Sequence, residues 1–181
     1  IPSNTPGTGT CNLVPFGDTG TVTWSNQIYQ TVATAADLGN APGLITGLAF
    51  APCGTGVHQN TRLRITLSHV PANFVLSSSF ANNLPNPVAV LDTPNFAWNI
   101  TAHQWNHIAL QNAFAYDGLS DLVMQVIAEG NTNTGTLGMH RDIRQRVWAN
   151  NWSTSPPLTG TVDSAALKWC VTMGSPTVDT F

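Results

Sequence analysis

The segment Arg62–Val70 alternates strictly: Leu63, Ile65 and Leu67 take one face, while Arg62, Arg64, Thr66 and Ser68 take the other. A period of two marks a half-buried β-strand, because successive side chains of an extended chain point to opposite sides. Elsewhere the 3.6-residue period of an amphipathic helix is nearly absent. Gly, Pro and Asn break the chain about every ten residues, the spacing of a sandwich or barrel. The same reading places strands at Thr21–Trp24, Ile28–Thr34, Leu44–Ala51, Val88–Leu91, Phe96–Thr101, Trp105–Leu110, Leu122–Ala128, Arg146–Ala149 and Ala165–Thr172. One short helical turn is expected near Ser79–Asn83. The prediction is an all-β fold: a single jelly-roll-like β-sandwich of about ten antiparallel strands over residues 21–181, preceded by an extended arm over residues 1–20. Within it, Glu129–Leu137 reads as a hairpin tip and Thr154–Thr161, with Pro156-Pro157, as an extended crossover. At 181 residues the chain is long enough for one full core and short for two domains.

The polar complement is unusual. Only 8% of residues are charged, against roughly 25% in an average soluble protein. Lys168 is the sole lysine. Thr, Asn, Ser and Gln must therefore carry solvation, and a weakly charged surface repels its own copies little. A net charge of −3 offers no basic field for nucleic acid or an anionic membrane surface. No stretch approaches the roughly 20 apolar residues that cross a bilayer as a helix. The sequence begins at Ile1, which is expected to follow a signal segment already removed. Cysteine use agrees with export to the cell surface or medium. Cys11 and Cys53, the latter in a Pro52-Cys53-Gly54 turn, are expected to form a disulfide. Cys170, in an apolar run, is expected as a buried free thiol, or else as a bond to another subunit. No CxxC pair or cysteine–histidine cluster shows zinc spacing. Asn99-Ile100-Thr101 and Asn151-Trp152-Ser153 are glycosylation sequons if the source glycosylates.

Two further stretches carry a likeness. One is Ile28–Phe50, with Ala36-Asp37-Leu38-Gly39 followed by Gly43-Leu44-Ile45-Thr46-Gly47-Leu48-Ala49-Phe50. The other joins Trp105–Leu110 to Phe114-Ala115-Tyr116-Asp117-Gly118-Leu119-Ser120-Asp121-Leu122-Val123. Together they resemble uncharacterised secreted bacterial jelly-roll or β-sandwich surface proteins, over roughly residues 10–172. The resemblance implies fold and export, and no active site. Asp117-Gly118 reads as a turn, with Ser120 and Asp121 bonding the backbone that follows.

Candidate chemistry is sparse. His103 and His107 have the spacing of two zinc ligands on a helix, but on a strand four residues span about 13 Å, too far for one ion. His140-Arg141-Asp142 matches a kinase triplet without the glycine-rich loop or strand lysine that would accompany it. Arg141, Arg144 and Arg146 either pair with Asp142 and cap a strand edge or form a polar contact patch for a carboxylate-bearing partner or a neighbouring subunit. Asp117 and Asp121 are weak calcium candidates, lacking EF-hand spacing; no other cofactor is expected. Asp18 and Asp37 are single acids at turns, and neither GxSxG nor a convincing pair of acids is present, so no catalytic residue is assigned. Trp98, Trp105, Trp148 and Trp169 fall in strand patterns and are expected inside. Trp152 is the tryptophan expected to be exposed, where it could stack on a sugar.

These readings converge on an extracellular structural protein, a subunit that assembles with copies of itself into a filament, tube or surface layer. The expected joint is the arm Thr8–Gly17 added to a neighbour's strand edge, with Leu13, Val14 and Phe16 filling a groove. The alternative is a carbohydrate-binding or adhesive module on a polysaccharide, which needs two or more aromatics exposed on one face. A hydrolase or metal enzyme would be revived by a pocket holding two acids, or by His58, His69 or His140 beside another ligand.

Overall fold

The computed structural model describes residues 5–17, 24–131 and 137–174. Among these, eleven strands form three antiparallel sheets. The strands are β1 (Cys11–Asn12), β2 (Gln27–Ala33), β3 (Gly43–Phe50), β4 (Gly56–Val70), β5 (Val88–Ile100), β6 (Asn106–Tyr116), β7 (Asp121–Glu129), β8 (Met139–His140), β9 (Arg146–Asn150), β10 (Thr161–Asp163) and β11 (Trp169–Gly174). A six-stranded sheet in the order β10-β9-β2-β7-β4-β5 packs over a three-stranded sheet, β11-β3-β6, while β1 and β8 pair at one end. The fold is an all-β sandwich, as the alternation predicts.

Composition sorts the strands by position. On β4, Leu63, Ile65 and Leu67 are fully buried between the sheets. The run Leu122–Ala128 in β7 is, apart from Gln125, apolar on both faces, as suits a central strand with cover on both sides. Its second cover is the segment of residues 71–87, which lays Leu76 and Phe80 over Ile28, Val123, Ile127 and Val147 in a separate apolar cluster. A 3-10 turn at Ala81–Asn83 lies in this segment, at the expected helical turn. Polar pins hold the cover down: the Asn83 side chain donates to the buried Gln30 Oε1 at 2.8 Å, and the Phe74 and Leu76 amides donate to Asp121 and Gln145.

The strands differ from the sequence expectation in places with a clear cause. Val88–Leu91 and Phe96–Thr101 belong to one strand, β5. Pro94 lies between the two and is accommodated because β5 is a sheet edge, where a missing N–H costs no ladder bond. The short strands β1, β8 and β10 carry too few residues to show a period. Trp169 begins β11, and Leu167 makes only an isolated bridge to Arg141. The expected strand at Thr21–Trp24 and the hairpin tip at Glu129–Leu137 lie partly outside the described residues.

The largest correction concerns the arm. Val14 and Phe16, expected to fill a neighbour's groove, are 1% and 0% exposed within this chain's own core. The Phe16 ring lies 4.9 Å from Phe50 and 5.8 Å from Trp98. Leu13 beside them is half-buried. The arm plugs its own sandwich, where Phe16 joins the aromatic cluster of Phe50, Trp98 and His58.

Candidate functional site

Four side chains from four separate segments meet where the arm joins the body. The disulfide Cys11–Cys53 is formed, as expected, across 42 residues of sequence. Cys11 lies directly opposite His140 in the β1–β8 ladder. The Cys53 amide donates to Gly138 O at 2.8 Å, just before β8. A ring nitrogen of the buried His140 and both sulfurs lie within 4.8 Å of one another. His103 completes the group, with its Nδ1 at 2.9 Å from His140 Nε2. Its backbone has φ of 60°, and its amide donates to Pro52 O, next to Cys53. The other ring nitrogen of His140, Nδ1, lies 3.0 Å from Gly9 O and donates to it, which leaves Nε2 as the acceptor. Burial, together with His103 and Lys168 nearby, holds the His140 ring below the ordinary histidine value despite the Gly9 bond.

The same corner fastens the arm. Lys168, only 5% exposed, donates from Nζ to Thr5 O and Thr8 Oγ1, and the Arg141 amide donates to Thr10 O. Disulfide, ladder, lysine and plug act on consecutive pieces of residues 5–16.

The remaining sequence candidates scatter. His107 does not join His103; it faces Thr172 across the outer sheet. Arg144 forms a two-point ion pair with Asp37, and Arg146 another with Asp163 while lying 5.2 Å from the Trp148 ring centre. Two of the three arginines are therefore spent inside the chain, on Asp37 and Asp163 rather than on Asp142. Burial raises the Asp37 carboxyl, but bonds from Arg144 and Thr34 outweigh it and hold it below the usual carboxylate value. Asp117 accepts from the Leu119 and Ser120 amides and the Ser120 hydroxyl, which against burial bring it down to about 2. Asp121 accepts the Ala35 and Phe74 amides. Both acids are thus engaged by donors of this chain. Asp18 lies outside the described residues.

Among the tryptophans, Trp98 and Trp169 are buried and Trp24, Trp105 and Trp148 half-buried. Trp152, expected to be exposed, is half-buried against the second apolar cluster, and its carbonyl accepts from Asn26. Cys170 is a half-buried free thiol whose ionisation burial pushes upward.

Two features had no signal in the sequence. A pocket of about 300 Å³ opens where the β4–β5 ladder skips Thr61 and Asn95; it is lined by Gln59, Asn60, Thr61, Asn95, Phe96, Ala97 and Gly130, with no charged group. Asn60 is 4% exposed, and neither its amide nitrogen nor its oxygen has a hydrogen-bond partner among the described residues. The second is the state of the sheet edges. On β5, Gln111 and Asn112 of β6 bond the outer backbone groups of Asp92 and Ala89, and Arg62 pairs with Asp92. β10 has three residues, one of them Asp163. Among the described residues, the outer edge of β11 bears neither proline, charge nor such a clamp.

No protein-family model matches the chain, and no curated protein or solved structure matches it significantly. The likeness to secreted surface proteins thus rests on the segments quoted above.

Proposed function

We propose that the chain is an extracellular structural module that associates with copies of itself. The observation that carries this reading is the selective state of its edges. A free strand edge is a template for pairing with another chain, and proteins that stay apart blunt it with charge, proline or cover. Here β5 and β6 cover one another and β10 is short and acidic, whereas β11 is left plain among the described residues. A second β11 laid antiparallel about a two-fold axis would extend the three-stranded sheet across two sandwiches, and such an interface is self-complementary. The low charge supports this, because two such surfaces approach with little repulsion and little ion desolvation. Exposed apolar loop residues, Ile143 at 86% and Leu158 at 85%, offer a second contact, through which pairs would grow into an open polymer. The firmly fastened arm suits a module that is pulled on, since tension on residues 5–16 passes into the core. Negative-stain imaging of the concentrated native protein should show ordered assemblies; fields without any would overturn the reading.

A second reading is favoured by the pocket at Asn60. Its uncharged lining, the Phe96 ring and an amide needing both a donor and an acceptor match a neutral sugar residue, whose hydroxyls do both. A rotation of the Asn60 side chain would present that amide to the ligand. Titration with neutral oligosaccharides should give binding that Asn60→Ala and Phe96→Ala each remove; heats identical to buffer for the parent chain would reject it.

A further inference from the structure

The corner where the arm joins the body holds two sulfurs and two imidazoles, the donor set of a tetrahedral zinc site. We propose that the chain, once its Cys11–Cys53 disulfide is reduced, binds one Zn²⁺ or similar thiophilic divalent ion through Cys11, Cys53, His140 and His103, so that disulfide and metal are alternative fasteners of the arm.

Three observations carry this. The donors already converge, with the sulfurs and a His140 nitrogen within 4.8 Å of one another and His103 Nδ1 2.9 Å from His140 Nε2. A tetrahedral ion with bonds of about 2.0–2.3 Å holds its donors about 3.3–3.8 Å apart, so the site is completed when the sulfurs leave their covalent bond and the side chains adjust around the ion. Next, His140 is oriented as metal-bound histidines commonly are: one ring nitrogen is tied to a backbone carbonyl, Gly9 O, which fixes the tautomer and leaves the other nitrogen's lone pair available. Last, the donors sit on elements held by other means. Cys11 and His140 face each other in a ladder, Cys53 is tied to Gly138, and His103 to Pro52, while Val14 and Phe16 keep the arm in the core. The site therefore does not depend on the sulfur–sulfur bond for its assembly.

The chemistry balances with a dithiol or phosphine reductant. Reduction delivers two electrons and two protons to the disulfide and gives two thiols. Metal binding then releases those two protons, and two thiolates neutralise the 2+ ion. The His103 ring gives up its hydrogen bond to His140 by shifting its own proton to Nε2, with no net change. Reoxidation by a disulfide such as oxidised glutathione takes two electrons from the thiolates, releases two molecules of reduced glutathione and expels the ion.

The proposal is independent of self-association and of the Asn60 pocket, so its failure would leave both untouched. Its test uses the full chain, reduced anaerobically with a phosphine and titrated with Co²⁺ as a spectroscopic stand-in. One equivalent should produce thiolate-to-cobalt charge transfer and the strong visible bands of a tetrahedral ion, and Zn²⁺ should displace it. The oxidised chain should give neither. Cys53→Ser should abolish the charge-transfer signal, and His103→Ala and His140→Ala should each weaken binding at least about tenfold. A second readout covers variants that fold poorly: Zn²⁺ should slow reoxidation of the parent chain by oxidised glutathione several-fold, and have no such effect on the histidine variants. Absence of a cobalt–thiolate band in the reduced parent, equal affinity in the histidine variants, or loss of sheet circular dichroism on reduction that Zn²⁺ does not restore would overturn it.

Discussion

At the scale of single residues, the arm is decided by Phe16 and the polar core by His58. Phe16 has no exposed surface and packs against Phe50, Trp98 and the His58 ring. Truncating such a ring removes its burial and leaves a cavity. Phe16→Ala should destabilise the monomer by about 3–5 kcal/mol in denaturant unfolding. An effect below 1 kcal/mol would mean that the arm does not belong to this core. His58 is buried, its Nε2 lies 2.8 Å from Leu137 O, and burial pushes its pKa down to about 4 from an ordinary 6.5. Between those values the unfolded chain binds a proton that the folded chain refuses. Stability from this group is therefore complete above about pH 6.5 and declines as pH falls toward 4, by about 3 kcal/mol in all. His58→Gln should flatten that part of the stability–pH curve; an unchanged slope would assign it to other groups. Neither role was legible beforehand. Phe16 was visible as an apolar residue in a Gly- and Pro-rich arm, but sequence does not say whose core such a residue fills. His58 stood in a polar run, and only the ladder irregularity near Thr61 puts His58 and Asn60 on the same inner side as Leu63.

At the scale of elements, strand existence was readable wherever a period could repeat. Arg62–Val70 and Leu122–Ala128 show this, the first by alternation and the second as an apolar run fit for the middle of a sheet. What failed was local. Pro94 breaks the alphabet of a central strand but not of an edge, and edge status follows from pairing rather than from composition. β1 and β8 are two residues each, and without a period they left the Cys11–His140 pairing unseen. The disulfide was found because Cys11 and the turn-borne Cys53, without CxxC or zinc spacing, invite one; the histidines beside it come from 37 residues apart. The plain edge of β11 makes its own prediction. Thr172→Lys with Met173→Lys, both at exposed positions, should abolish self-association while leaving the melting temperature within a few degrees, since surface changes usually cost under about 0.5 kcal/mol. Val88→Lys on the covered edge strand β5 should leave association unchanged. Equal behaviour of the two variants would remove β11 from the interface.

At the scale of the whole molecule, the sandwich follows from alternation, turn spacing and one domain's worth of residues. The way it meets its surroundings does not, because edges, plugs and pockets exist only after the sheets close. The arm illustrates the point: composition rightly marked it as apolar enough to fill a groove, and closure of the sheets supplied that groove within the same chain. Under the proposed function, self-association falls to surfaces that low charge permits and β11 directs. Sedimentation velocity of the oxidised protein over a wide concentration range tests this most directly. The account predicts species larger than the 19.3 kDa monomer that grow with concentration and persist in moderate salt. A single 19.3 kDa species at every concentration would contradict it.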